Sequence, residues 1–181
     1  MTDPQDTTAN QRAGFAAIIG APNAGKSTLV NRLTGTKVSI VTQKVQTTRF
    51  PVRGIPMEGD AQIVLVDTPG IFTPRRRLDR AMVASAWGGA DDADVVVHLI
   101  DAASHIASEG REGTPADRKS AEDTETIIAN LKSAGKQVIL ALNKIDGMRR
   151  DTLLALSHKL FETGVYSEVY MISALRGDEV D

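Results

Sequence analysis

The stretch Gly20-Ala21-Pro22-Asn23-Ala24-Gly25-Lys26-Ser27 constrains this chain more than any other feature. It fits the pattern G-x-x-x-x-G-K-[ST]. The apolar run Phe15–Ile19 leads in as a buried strand, and Thr28–Leu33 leads out with apolar residues at helical spacing. Strand, glycine-framed loop and helix is the context in which such a loop cradles phosphate. The glycines let successive N–H groups curl around phosphate oxygens, and the helix N-terminus adds partial positive charge. Lys26 is then the residue to reach the β- and γ-phosphates, and the Ser27 hydroxyl the one to ligate Mg²⁺. Gly20, Ala24, Gly25 and Thr28 complete the phosphate-binding set. The loop alone does not choose between ATP and GTP.

At 181 residues the chain suits one domain with a core large enough to fold unaided. Its net charge of −2 gives no global basic excess for gripping nucleic acid by charge alone. Without cysteine, disulfides and thiolate metal sites are excluded, which permits a reducing cytoplasmic location. No apolar run is long enough to span a membrane. Residues 1–13 read as a disordered lead-in, and the ordered domain is expected over 14–181.

Apolar runs alternate with helical patterns after the loop. Phe50–Pro56 and Gln62–Val66 are expected as strands joined by a turn at Gly59-Asp60, forming one antiparallel edge. Helices are expected over Leu78–Trp87, Ala121–Ala134 and Leu153–Phe161. Strands are expected over Val95–Ile100, Val138–Leu142 and Val169–Ile172. Continuous apolar strands alternating with helices imply a mostly parallel sheet covered on both faces, a three-layer α/β fold. Ala102–Lys119, rich in charge and containing Gly110, Gly113 and Pro115, is expected as a long solvated loop.

Three more motifs carry chemistry. Asp67-Thr68-Pro69-Gly70 ends a strand, where a carboxylate can hold Mg²⁺ through water and the Gly70 N–H can approach a γ-phosphate. A plain turn is the alternative for this sequence, and its place behind a phosphate loop opposes that alternative. Asn143-Lys144-Ile145-Asp146 follows a buried strand at the carboxyl end, where α/β sheets bind ligands. Asp146 is placed to accept hydrogen bonds from guanine N1–H and N2–H₂. Adenine offers neither donor, so a site of this kind rejects it by ~10⁴-fold. Lys144 would lay its stem across the base, and the Asn143 amide would tie the base loop to the phosphate loop. Ser173-Ala174-Leu175, after the last strand, can present backbone N–H groups to guanine O6. In Gln46-Thr47-Thr48-Arg49 a threonine can ligate Mg²⁺ and bond the γ-phosphate, and hydrolysis removes that bond. Thr48 is the candidate and Thr47 the alternative one residue away.

These motifs, in this order, resemble the Ras-like GTPases. Gly20–Thr28 with Gln46–Arg49 and Asp67–Ile71 is similar to the bacterial Era group, and the resemblance covers roughly 14–177. It implies a Mg²⁺-dependent GTPase switch with GTP and GDP as ligands, acting in small ribosomal subunit assembly. It implies 16S rRNA and the 30S subunit as partners, contacted through a C-terminal KH-type domain that does not follow in this chain. Peripheral inner-membrane association of the full-length protein is a further implication. Gly177–Asp181 reads as the first residues of a final helix, cut short.

Asn23, Lys26, Thr48 and Gly70 are the candidate catalytic residues. Ile71 stands where many Ras-like switches place a water-orienting glutamine. Asn23 matches the asparagine that relatives use to bind K⁺, or else it simply suits the loop backbone. Two classes of function remain: a GTPase, or a guanine-nucleotide binding module with negligible hydrolysis. Ribosome-assembly and tRNA-modification GTPases of the same superfamily stand close behind Era. A P-loop kinase or ATPase is opposed by Asn143–Asp146. His98 reads as a core histidine, and Arg75-Arg76-Arg77 as a solvated helix start.

Overall fold

The computed structural model describes residues 12–41, 48–111 and 113–180. Seven strands form one sheet among the described residues: β1 (Arg12–Ile19), β2 (Val52–Gly54), β3 (Met57–Glu58), β4 (Ala61–Asp67), β5 (Val95–Asp101), β6 (Val138–Asn143) and β7 (Tyr166–Ile172). Its order is β2-β4-β1-β5-β6-β7, with β3 also paired to β4. β1, β4, β5, β6 and β7 run parallel, while β2 and β3 are antiparallel to β4. The expected antiparallel strand over Phe50–Pro56 is shortened to Val52–Gly54, and a second short strand, Met57–Glu58, follows it. Pro56 has no N–H to give a ladder, and its carbonyl instead accepts from Ile63 N at 3.1 Å.

Among the described residues five helices cover the sheet: α1 (Lys26–Leu33), α2 (Arg77–Asp91), α3 (Ala102–Glu109), α4 (Pro115–Ser133) and α5 (Arg150–Phe161). Alternation along the strands assigns the faces. Ile19, Ile100, Leu140 and Leu142 pack with Ala86, Ile127, Leu131, Leu156 and Leu160 from α2, α4 and α5. Ile18, Leu99 and Ala141 turn the other way, onto Leu29 and Val30 of α1. Truncating one of the buried leucines or isoleucines to alanine should cost about 2–5 kcal/mol. This is the three-layer, mostly parallel fold that the sequence predicts.

Three expectations are corrected. Ala102–Lys119 is not a solvated loop. It forms α3 and the first turn of α4, because Asp101 caps α3 by accepting Ser104 N at 3.0 Å and Thr114 pairs reciprocally with Asp117 at the start of α4. Ala102 and His105 bury one side of α3, so it packs rather than floats. Gly177–Val180 is not a helix start: Ala174–Gly177 is a turn closed by a bridge between Ser173 and Asp178, and Glu179 and Val180 turn again. Arg12 and Ala13 already belong to β1, two residues ahead of the expected boundary, while residues 1–11 lie outside the described ones. His98 is a core residue as expected, wholly buried with Nδ1 2.9 Å from Tyr166 Oη.

Candidate nucleotide-binding cleft

The loops after the carboxyl ends of β1, β4, β6 and β7 surround a cleft of about 550 Å³ whose lining includes Asn23, Lys26, Thr48, Gly70, Lys144 and Asp146. Its floor is the loop between β1 and α1. Two glycines make that loop possible. A Cβ on Gly20 would fall 2.3 Å from Leu99 O, and one on Gly25 would fall 2.3 Å from Asn143 Nδ2. Gly25 also sits at φ +103, in the region that favours glycine. Asn23 has φ 63 and is exposed, a left-handed backbone that asparagine tolerates. Its side chain makes no hydrogen bond among the described residues.

Lys26 is buried at the start of α1, and Nζ donates to Gly20 O at 3.2 Å and Ala21 O at 2.9 Å. Burial pushes its pKa down to about 8, and the Asp67 carboxylate partly opposes this. A buried ammonium held against loop carbonyls is poised to donate to phosphate oxygens in their place.

The structure brings the candidate metal ligands Ser27, Thr48 and Asp67 together. Ser27 Oγ donates to Asp67 Oδ2 at 2.7 Å, and Thr48 Oγ1 donates to the same oxygen at 3.1 Å. The two hydroxyls are 3.1 Å apart. Asp67 is fully buried and its Oδ1 has no hydrogen-bond partner among the described residues. Two hydroxyls and a carboxylate with an orphan oxygen make an all-oxygen set that fits Mg²⁺. Of the two threonines, the described structure brings Thr48 to the cluster; Thr47 and Gln46 lie outside the described residues.

Gly70 closes against the loop, where a Cβ would fall 3.0 Å from Pro22. The next residue turns away: Ile71 is 1% exposed and its N–H donates to Gly20 O at 3.0 Å. Ile71 belongs to the core, so neither its chemistry nor its direction suits it to orient water. Arg75, Arg76 and Arg77 are exposed at the start of α2, as expected.

The far end of the cleft holds the residues expected to read a base. Asn143 Nδ2 donates to Ala24 O at 2.8 Å, joining the base loop to the phosphate loop as the sequence predicts. Its Oδ1 accepts Ala174 N at 3.0 Å. That bond engages the Ala174 N–H, and Ser173 N donates to Asp178 O at 3.0 Å, so of the expected donors to guanine O6 the Leu175 N–H is the one without a partner among the described residues, and Leu175 lines the cleft. Asp146 Oδ1 accepts from Ser173 Oγ at 2.7 Å.

Two charged partners have no counterpart in the sequence reading. Asp101 Oδ2 accepts from Lys144 Nζ at 2.6 Å, with Lys144 at φ 64. Arg176 Nε lies 2.9 Å from Asp146 Oδ1. For Asp101 a signal exists, a carboxylate at a strand end with Ser three residues on. For Arg176 there is none.

A family model described as a 50S ribosome-binding GTPase matches residues 15–144. The chain is similar to GTPase Era of Caulobacter vibrioides, 66% identical over 176 residues that make up 97% of this chain and 56% of the relative. It thus spans about half the length of the curated relatives it matches. Among solved structures it resembles Era in complex with MgGDPNP and nucleotides 1506-1542 of 16S ribosomal RNA. That match has TM-score 0.78 and 38% identity, covering 94% of this chain and 54% of the other. NFeoB from S. thermophilus bound to GDP.AlF4- and K+ matches at TM-score 0.63 and 25% identity, over 93% and 58%.

Proposed function

The chain belongs to the 50S ribosome-binding GTPase family as an Era-type G domain, and we propose that it binds GTP and hydrolyses it to GDP and phosphate as a Mg²⁺-dependent switch. The observation that carries this is the convergence in one cleft of the Ser27–Thr48–Asp67 cluster with the Asn143–Asp146 base loop.

Ser27, Thr48 and Asp67 would hold Mg²⁺, which neutralises phosphate charge when bound. Lys26 and the loop N–H groups hold the β- and γ-phosphates, Gly70 N–H faces the γ-phosphate, and Asp146 reads the guanine edge. Water attacks the γ-phosphorus and the bridging oxygen leaves on GDP with the bonding electrons. Stabilising charge on that oxygen is the work of Lys26 and the loop N–H groups. Loss of the γ-phosphate frees Thr48 and Gly70, which is the switch.

Ile71 favours a second reading. With a core isoleucine in place of a water-orienting side chain, the domain alone acts as a nucleotide-timed docking surface with negligible turnover. K⁺ at Asn23 would restore hydrolysis, and the bound K⁺ named for NFeoB supports that role. Single-turnover phosphate release in KCl and in NaCl tests both. Faster release in K⁺, abolished by Asn23→Ala with GDP binding kept, supports the hydrolase. No release in either salt supports the binding module.

We further assign the domain to small-subunit assembly in the cytoplasm, with 16S rRNA contacted through a KH-type domain and peripheral contact with the inner membrane. The similar Era solved with 16S rRNA nucleotides supports the RNA partner. No helix among the described residues is long and apolar enough to cross a membrane.

A further inference from the structure

We propose that Arg32, which does not line the cleft, is a positioning residue that sharpens guanine selectivity by holding the base loop from behind. This rests on the reading of Asp146 as the guanine acceptor. Arg32 projects from the last turn of α1, and its guanidinium forks across two successive carbonyls. Nη2 donates to Leu175 O at 2.7 Å and Nε to Ala174 O at 3.4 Å. Gly177 makes room, since a Cβ there would fall 2.9 Å from Arg32 Cζ.

In a trans peptide the C=O and the following N–H point in opposite directions, and the described chain has no cis bonds. Holding Leu175 O outward turns the Arg176 N–H inward, where it donates to Ser173 Oγ at 3.1 Å. Ser173 Oγ in turn donates to Asp146 Oδ1 at 2.7 Å. A continuous relay therefore runs from α1 to the base-reading carboxylate. By the same geometry, drawing Ala174 O outward aims the Leu175 N–H at the cleft side. Because α1 begins at Lys26, one helix carries the phosphate lysine at its start and this clamp at its last turn. A preorganised carboxylate discriminates better than a mobile one, because its lone pairs are already aimed.

The test is the affinity ratio of GDP to inosine diphosphate, which keeps O6 and N1–H and lacks the 2-amino group that Asp146 reads. Unmodified protein should prefer GDP. Arg32→Ala should narrow the ratio by roughly threefold to tenfold, the worth of one or two hydrogen bonds. Thermal unfolding of each variant separates this from general loss of fold, which would weaken both nucleotides alike. Arg32→Lys, with one ammonium for two carbonyls, should lie between the two. If Arg32→Ala does not fold, Arg32→Lys and Gly177→Ala carry the test, and both should narrow the ratio. A ratio unchanged in every folded variant, with GDP still preferred over ADP, would overturn this inference alone. Equal binding of ADP and GDP by the unmodified protein would overturn it together with the guanine reading.

Discussion

The amide of Asn143 lies directly over the Cα of Gly25, with Nδ2 2.3 Å from where a Cβ would stand, and from there it bonds Ala24 O at 2.8 Å. The proposed phosphate and base halves of the cleft are joined at this point. Gly25→Ala should push Asn143 aside and strain a φ of +103. GDP affinity should fall by more than tenfold, a loss above about 1.4 kcal/mol. Calorimetric titration checks it, and Asn143→Ala should lose binding through the same joint.

Lys26 gives the site a pH signature. Burial lowers its pKa from 10.5 to about 8. The unfolded chain therefore keeps this proton to higher pH than the native one, so the lysine's penalty is full below about 8 and eases as pH rises toward 10.5. Phosphate beside the ammonium opposes the shift, so GDP binding at about pH 8.5 should take up most of a proton. Titrations in two buffers of different ionisation enthalpy measure it. Uptake should vanish near pH 6.5; its absence at both values would contradict a lysine–phosphate contact.

The switch should be uneven. The Ile71 amide is already bonded to Gly20 O and its side chain is buried, whereas Thr48 is held through its hydroxyl. Exchanging GDP for a non-hydrolysable GTP analogue should raise hydrogen-exchange protection at Thr48–Phe50 and leave Ile71 nearly unchanged. Equal protection of Thr48–Phe50 in the two states would argue against a switch there.

His98 should make the fold acid-sensitive. Burial, with Lys26 and His105 adding to it, pushes its pKa down to about 3. Below about 6.5 the unfolded chain gains a proton that the native core refuses, so stability falls as pH drops from 6.5 toward 3. The urea midpoint should decline between about pH 7 and 5.5, and His98→Gln should flatten that decline.

Much of the cleft is legible in the sequence because its chemistry restricts residue type. Only glycine fits beneath Asn143, and only a carboxylate at Asp67 gathers two hydroxyls at a strand end. The parts that hide are those held by tertiary packing. The α3 segment reads as solvated because its apolar residues are mostly small and the charged stretch Glu109–Lys119 follows with Gly110, Gly113 and Pro115, although Asp101–Ser104 and Thr114–Asp117 are cap signals. The start of β7 is hidden because an edge strand leaves Ser167 and Glu168 exposed. Arg32 and Arg176 act on backbone carbonyls and on a distant carboxylate, and such long-range pairings leave no spacing to read.

The central claim is that this cleft selects guanine through Asp146. Competition binding of GDP, ADP and XDP, in the unmodified protein and in Asp146→Asn, tests it most directly. GDP should be preferred over ADP by ~10⁴-fold, since adenine leaves the carboxylate unpaired. Asp146→Asn should shift the preference toward XDP, whose base presents an acceptor to the new amide. ADP and GDP binding equally to the unmodified protein, or Asp146→Asn keeping its full preference for GDP, would contradict the account.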